Sequence, residues 1–129
     1  MNIEIGSKAT AELTVSPEHT AKAVGSGELD VFATPMMAAL MEKAAYLAIA
    51  SYLPEGDSSV GCELKISHIS ATPVGMTVRA EAEVTAVEGK MIHYTVKAFD
   101  EAGLIGEGTH VRAIVHSDRF VQRTNDKLK

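Results

Sequence analysis

From Met36 to Leu53 the chain reads MMAALMEKAAYLAIASYL, an apolar segment carrying one acid, Glu42, and one base, Lys43. Nothing else in the sequence restricts the fold as strongly. Thr34-Pro35 stands at its start, where threonine suits an N-cap and proline suits the first helical turn. Pro54-Glu55-Gly56-Asp57 is a strong breaker at its end. The segment reads as a helix with apolar residues on nearly every face, and such a helix is normally wrapped by other structure. A carboxylate within it costs free energy unless it is paired, hydrated or protonated. The simpler reading of Glu42 is a solvated rim position beside Lys43.

The wrapping must come from the rest of the chain. Lys8–Val15 alternates loosely and reads as a strand. Ser16–Ala33 is long for a structureless loop, so a short helix or a lid is expected there. Beyond the helix the period changes to two. Over 58–72, Val60, Cys62, Leu64, Ile66 and His68 share the apolar face, with Cys62 expected to be an inert buried thiol. Over 76–87, Val78, Ala80, Ala82, Val84 and Ala86 share it. Over 91–99 it is Ile92, Tyr94, Val96 and Ala98. Over 104–116 it is Ile105, Val111, Ala113 and Val115. Glu88-Gly89-Lys90 is a hairpin turn. The order is strand, helix, then four strands in a meander. A curved antiparallel sheet with one apolar face needs a cover, and one helix is available for it. This is the α+β hot-dog architecture, about five strands around one long central helix. One sheet face does not bury a helix that is apolar nearly all round, which suggests a dimer with a shared interior.

At 129 residues the chain is expected to form one domain over 1–129, with a polar tail over 118–129. Seventeen acids against twelve bases exclude the basic stripe of a nucleic-acid binder. A single cysteine excludes an intrachain disulfide. The N-terminal residues have no signal-peptide pattern, and the helix is short for a membrane span, so the default is a soluble, cytoplasmic protein.

The strand phase points a second titratable group, His68, at the layer that holds Glu42. Alone, a core histidine bonded to a backbone carbonyl is the plainer reading. Two such groups aimed into one cleft mark a candidate site. Thr34 and Glu42 lie eight residues apart, about 12 Å along a helix, and cannot touch. If both serve one site, a two-fold dimer is the natural solution, with Thr34 and the helix start from one protomer and Glu42 from the other. Amides following Thr34 would hold a carbonyl oxygen as it gains negative charge. The acid would attack the carbonyl or activate water, with imidazole moving protons. That set suits hydrolysis of an activated acyl group. No metal is expected, since His19, His68, His93, His110 and His116 show no ligand spacing, and His110 and His116 fall on the polar face.

Several runs now fit a known pattern: Val31-Phe-Ala-Thr34 with Met41-Glu42, Val60-Gly61 through Ser67-His68-Ile-Ser-Ala-Thr-Pro73, Val87-Glu88-Gly89, and Gly106-Glu-Gly-Thr-His-Val-Arg112-Ala. In order and spacing they resemble the fluoroacetyl-CoA thioesterase family of hot-dog proteins, from about Gly6 to Phe120. The resemblance implies acyl-CoA thioester hydrolysis in a homodimer, with assembly beyond a dimer left open. It implies Thr34, Glu42 and His68 as the catalytic set, Gly61 shaping the acyl pocket and Arg112 near the acyl group. Coenzyme A would enter only as part of the substrate, with no separate cofactor. Strand phasing disagrees on Arg112, placing it opposite Val111 on the polar face. Phe32 beside the helix start reads as a packing anchor within reach of the acyl chain. Tyr46, one turn after Glu42, is placed to bond it. One departure concerns specificity: the fluoroacetyl enzyme has an aromatic-rich lid where this chain has Val24-Gly-Ser-Gly-Glu-Leu-Asp30. Two other readings stay open, an enoyl-CoA hydratase and a non-catalytic acyl-CoA or small-ligand binding protein.

Overall fold

The computed structural model describes residues 2–129. Five strands and three α-helices follow in the order β1 (Lys8–Thr14), α1 (Ala21–Val24), α2 (Thr34–Ala50), β2 (Asp57–His68), β3 (Thr77–Glu88), β4 (Met91–Asp100), β5 (Gly103–His116) and α3 (Ser117–Asn125). All pairings are antiparallel, in the sheet order β1-β3-β4-β5-β2. This is the hot-dog arrangement, with α2 lying on β1 and β3 and reaching β4 and β2.

The meander holds only for β3, β4 and β5. β2 instead pairs with β5, at the edge farthest from β1. The cause lies in the connector after β2, which contains Pro73 and makes no tight hairpin. It runs past the start of α2, where Phe32 N–H donates to the Thr72 carbonyl (2.9 Å), and docks on the end of β1 through Gly75 N–H to Val15 O (2.8 Å). β2 is thereby left as a twelve-residue edge strand.

α2 begins one residue earlier than expected and ends at Ala50. Ala33, not Thr34, occupies the N-cap, and Thr34 is the first helical residue. Its hydroxyl is therefore free for another partner. Met37, Leu40, Met41, Ala44, Ala45, Ala48 and Ile49 form the buried stripe at spacings of three and four. Each of the larger side chains contributes roughly 1.5–3 kcal/mol by leaving water. The opposite side stays open in the protomer, with Tyr46 43% and Leu47 41% exposed.

Three β-bulges decide which side chains face α2. In each, one residue has no partner across the ladder: Cys62 in β2, Thr85 in β3 and Ile105 in β5. A bulge shifts the alternation by one, so everything beyond it turns to the other face. Leu64, Ile66 and His68 face inward as expected. Before the bulge, Ser59 and Gly61 take the inward phase in place of Val60, and Cys62 itself is exposed rather than buried. In β5 the expected inward set Val111, Ala113 and Val115 is wrong. Ile105 is buried, but beyond it the inward residues are Gly106, Gly108, His110, Arg112 and Ile114. In β3, Val87 rather than Ala86 packs against the core. β4 has no bulge within its inward run, and Ile92, Tyr94, Val96 and Ala98 are all buried as read.

Ser16–Ala33 holds a 3-10 turn (Pro17–His19) and α1, with Thr20 Oγ1 accepting from the Ala23 amide (3.2 Å). The expected polar tail over 118–129 is helical as far as Asn125, within α3, and none of the α3 residues is buried. No helix among the described residues is long and apolar enough to cross a membrane.

Candidate active site

The six residues singled out in the sequence fall into two groups of three. At the start of α2, Thr34 Oγ1 lies 2.7 Å from His68 Nδ1. Phe32 is 1% exposed and meets the His68 ring edge-on, with centroids 6.4 Å apart. These residues, with Val31, Ser70 and Ala71, line a cleft of about 280 Å³. Pro35 has no N–H, and the Met36 and Met37 amides both donate to the Ala33 carbonyl (3.0 Å each). The amides after Thr34 are thus already occupied, contrary to expectation. The donor left at this helix start is the amide of Thr34 itself, with its hydroxyl held beside it by His68. His68 Nε2 is buried without a hydrogen-bond partner. Burial pushes the His68 pKa below 6.5, opposed by the Ser70 backbone.

The second group lies two turns along α2. Glu42 Oε2 is 3.7 Å from Arg112 Nη1, with the arginine side chain 8% exposed and the carboxylate side chain 42% exposed. Arg112 therefore faces inward, as the resemblance implied and the strand phasing did not. The Ile105 bulge is the reason. A buried guanidinium needs its donors occupied. Arg112 Nε donates to Ser59 Oγ (2.8 Å), Nη2 to the Ser59 carbonyl (2.9 Å), and Nη1 faces His110 Nε2 (3.3 Å). Gly61 pairs with Arg112 across the ladder, and a Cβ built on it would lie 2.5 Å from Glu42 Oε2. Glycine is required here to leave space for the carboxylate. Tyr46 does not bond to Glu42; it is half-exposed, with its ring 6.0 Å from the Arg112 guanidinium carbon.

Within one chain, then, Glu42 and His68 do not share a cleft. They lie at separate places on the inner face, with α2 and β2 contributing to both. Sequence reasoning missed three residues around Arg112. His110 was assigned to the polar face, whereas it is 1% exposed. Tyr94 was read as plain core, whereas its hydroxyl is buried without a partner, and burial pushes the phenol pKa up against the pull of Arg112. Ser59, out of phase with the inward set Val60, Cys62, Leu64, Ile66 and His68 expected for its strand, holds the Arg112 guanidinium instead. One signal was available: residues i and i+2 of a strand share a face, so an inward Arg112 carries His110 with it. His93 Nε2 lies 2.9 Å from Glu88 Oε1, and His93 has no part in either group.

Gly61→Ala tests the carboxylate pocket. The added methyl clashes with the flexible tip of Glu42 and meets His110 Cε1 (3.4 Å) and Arg112 Nη1 (3.6 Å) at ordinary contact distance, so the melting temperature should hold within a few degrees while hydrolysis collapses. Equal loss of stability and activity would count against this. A second expectation concerns acid. His68 and His110 both have pKa values lowered chiefly by burial. The unfolded chain therefore binds more protons below the ordinary value of 6.5. Stability is full above that pH and falls as pH drops through the lower folded values. A melting temperature flat from pH 6.5 down to 5 would contradict it.

Solved structures share this architecture and its connections. A thioesterase superfamily member from Thermus thermophilus superposes with a TM-score of 0.88 at 30% identity, covering 98% of this chain and 96% of the other. The fold and its inner polar groups place the protein in the hot-dog thioesterase class. Residues 15–118 match the family described as fluoroacetyl-CoA-specific thioesterase, and the chain belongs to that family. The fluoroacetyl-CoA thioesterase of Streptantibioticus cattleyicolor is 37% identical over 131 residues, spanning 97% of this chain and 94% of that protein. A solved variant of the fluoroacetyl-CoA thioesterase FlK, in complex with acetyl-CoA, gives a TM-score of 0.92 at 34% identity, covering 98% and 99% of the two chains.

Proposed function

We propose that the protein hydrolyses a short acyl-CoA thioester to the free acid and coenzyme A, in a site completed by two copies of the chain. The division of the site residues carries this reading. A Thr–His pair beside a free helix-start amide and a Glu–Arg pair with a glycine-lined hollow are complementary halves, held about 12 Å apart on one helix. β2 supports the dimer. It is a long edge strand with one side unpaired, and it carries His68 at one end and Gly61 towards its middle. Two-fold antiparallel pairing of β2 with its copy, in the register that lays Gly61 across from His68, would bring the halves together twice per dimer. The open side of α2 with Tyr46 and Leu47 would be covered in the same step.

In this site the thioester oxygen lies against the Thr34 amide, which stabilises it as charge develops. Glu42 attacks the acyl carbon to give a mixed anhydride that water then opens to the free acid, or it deprotonates a water that attacks the acyl carbon directly. The C–S bond breaks, and His68 transfers a proton to or from the reacting groups. Incorporation of labelled oxygen into Glu42 in a single turnover separates the two roles. The 280 Å³ cleft and the aromatic-free segment 24–30 above it favour a small, unselective acyl group such as acetyl or propionyl. The complex of a relative with acetyl-CoA agrees with that size class.

Subunit mixing tests the shared site. Glu42→Ala and His68→Ala should each be inactive alone. Mixed in equal amounts and allowed to exchange, half the dimers are hybrids with one intact site of two, so about a quarter of wild-type activity should return. No recovery after mass spectrometry shows hybrid dimers would overturn the arrangement.

A further inference from the structure

One buried side chain beside Glu42 has no part in the chemistry above. His110 is 1% exposed, and both its ring nitrogens are engaged. Nδ1 lies 2.7 Å from the Glu63 carbonyl oxygen, which sits beside the Cys62 bulge. A carbonyl only accepts, so Nδ1 carries the proton. Nε2 is then the lone-pair nitrogen, and it faces Arg112 Nη1, which only donates, at 3.3 Å. Two independent contacts thus select one state of the ring, neutral and protonated at Nδ1.

The groups packed against the ring agree with that state. Tyr94 of β4 stacks on it at 5.6 Å and 26°. Arg112 faces it from its own strand, Glu42 lies on the α2 side, and β2 presents the Glu63 backbone. Burial lowers the His110 pKa most. The Glu63 backbone opposes this, Arg112 adds to the lowering, and Glu42 again opposes it.

We propose that His110 is the positioning residue that sets the Arg112 guanidinium against Glu42. Nε and Nη2 of Arg112 are taken by Ser59, so Nη1 is the nitrogen left to meet the carboxylate. His110 tethers that same nitrogen. A protonated ring would instead aim an N–H at the guanidinium and break the tether, so the Glu42–Arg112 geometry is a property of the neutral form. This inference rests on the reading of Glu42 as a catalytic group.

Two measurements test it. The first needs no activity: nitrogen-15 NMR of the histidine rings in the wild-type protein at pH 7. Neutral His110 protonated at Nδ1 is expected, and the Nε2–H tautomer or an imidazolium would overturn the proposal. The second compares acetyl-CoA hydrolysis by His110→Phe, His110→Gln and Arg112→Met. His110→Phe keeps a ring against Tyr94 but loses the tether, and should lower kcat roughly 10- to 100-fold. His110→Gln presents a carbonyl oxygen to Nη1 and should recover part of that loss. In the Arg112→Met background, His110→Phe should change kcat less than about twofold, because coupled residues are not additive. Full multiplication of the two losses overturns the proposal. If Glu42→Ala stays active, the catalytic reading fails on its own, and the tautomer and the His110–Arg112 coupling, read from thermal unfolding of the same variants, still decide the tether. If His110→Phe does not fold, the NMR result decides.

Discussion

Glu42→Ala should lower kcat for acetyl-CoA hydrolysis by about 10²- to 10⁴-fold, the range associated with loss of a positioned acid–base group. The fold should survive. The carboxylate side chain is 42% exposed, and Arg112 keeps its bonds to Ser59 and its contact with His110 when Glu42 is gone. The pair is open on the Glu42 side but its guanidinium is buried, so removing the carboxylate leaves Arg112 without a counter-charge and should also lower the melting temperature, short of unfolding the chain. Glu42→Gln keeps size and polarity but offers neither a nucleophile nor a base, so it should be nearly as inactive, with KM little changed. A thiol-release assay beside a thermal melt measures both effects. Activity within tenfold of wild type for Glu42→Ala, in a folded protein, would remove Glu42 from the mechanism.

The second large effect is on stability. Gly108 in β5 sits between Ile66 of β2 and Val96 of β4. A Cβ built there would run into the Lys65 carbonyl and come within 2.8 Å of Ile66 Cα. Both are backbone atoms of the paired strand, so no side-chain tip can yield. Gly108→Ala should therefore push β2 away from β5, costing about 3 kcal/mol or more. For a chain of this length that corresponds to a drop of roughly 10 °C in melting temperature. Activity should fall with stability, because β2 carries both Gly61 and His68. The contrast with Gly61→Ala is informative. The same added methyl should spare the fold where it meets a flexible carboxylate and disrupt it where it meets a neighbouring strand. A melting temperature unchanged by Gly108→Ala would refute this account of β2–β5 packing.

The helix was legible because its signals are local: proline at the start, a breaker at the end, and apolar residues between. β4 was legible because its inward run contains no bulge, so alternation alone sorts Ile92, Tyr94, Val96 and Ala98. The contact between Thr34 and His68 follows from the end of β2 lying beside the start of α2. What period-two counting does not detect is an inserted residue. Cys62 and Ile105 each shift the phase by one, and that shift hid Ser59, His110 and Arg112 behind a polar label. Family spacing recovered Arg112 but not its neighbour. The path of β2 was also hidden, because alternation gives a strand its faces and not its partner. The N-cap was misplaced by one residue for a third reason. Thr34 is a good cap in isolation, but His68 claims its hydroxyl.

The bulge at Cys62 gives that position an unusual kind of importance. Its sulfur points outward, so serine, alanine or threonine would serve there about equally well. Its presence in the count is what matters. Deleting this one residue would restore even parity along the strand and turn half of it inside out, presenting Gly61 and Ser59 to water and leaving Arg112 buried without its two Ser59 bonds. At this point the chain stores its instruction as a length, which no substitution scan would reveal and a single-codon deletion would expose.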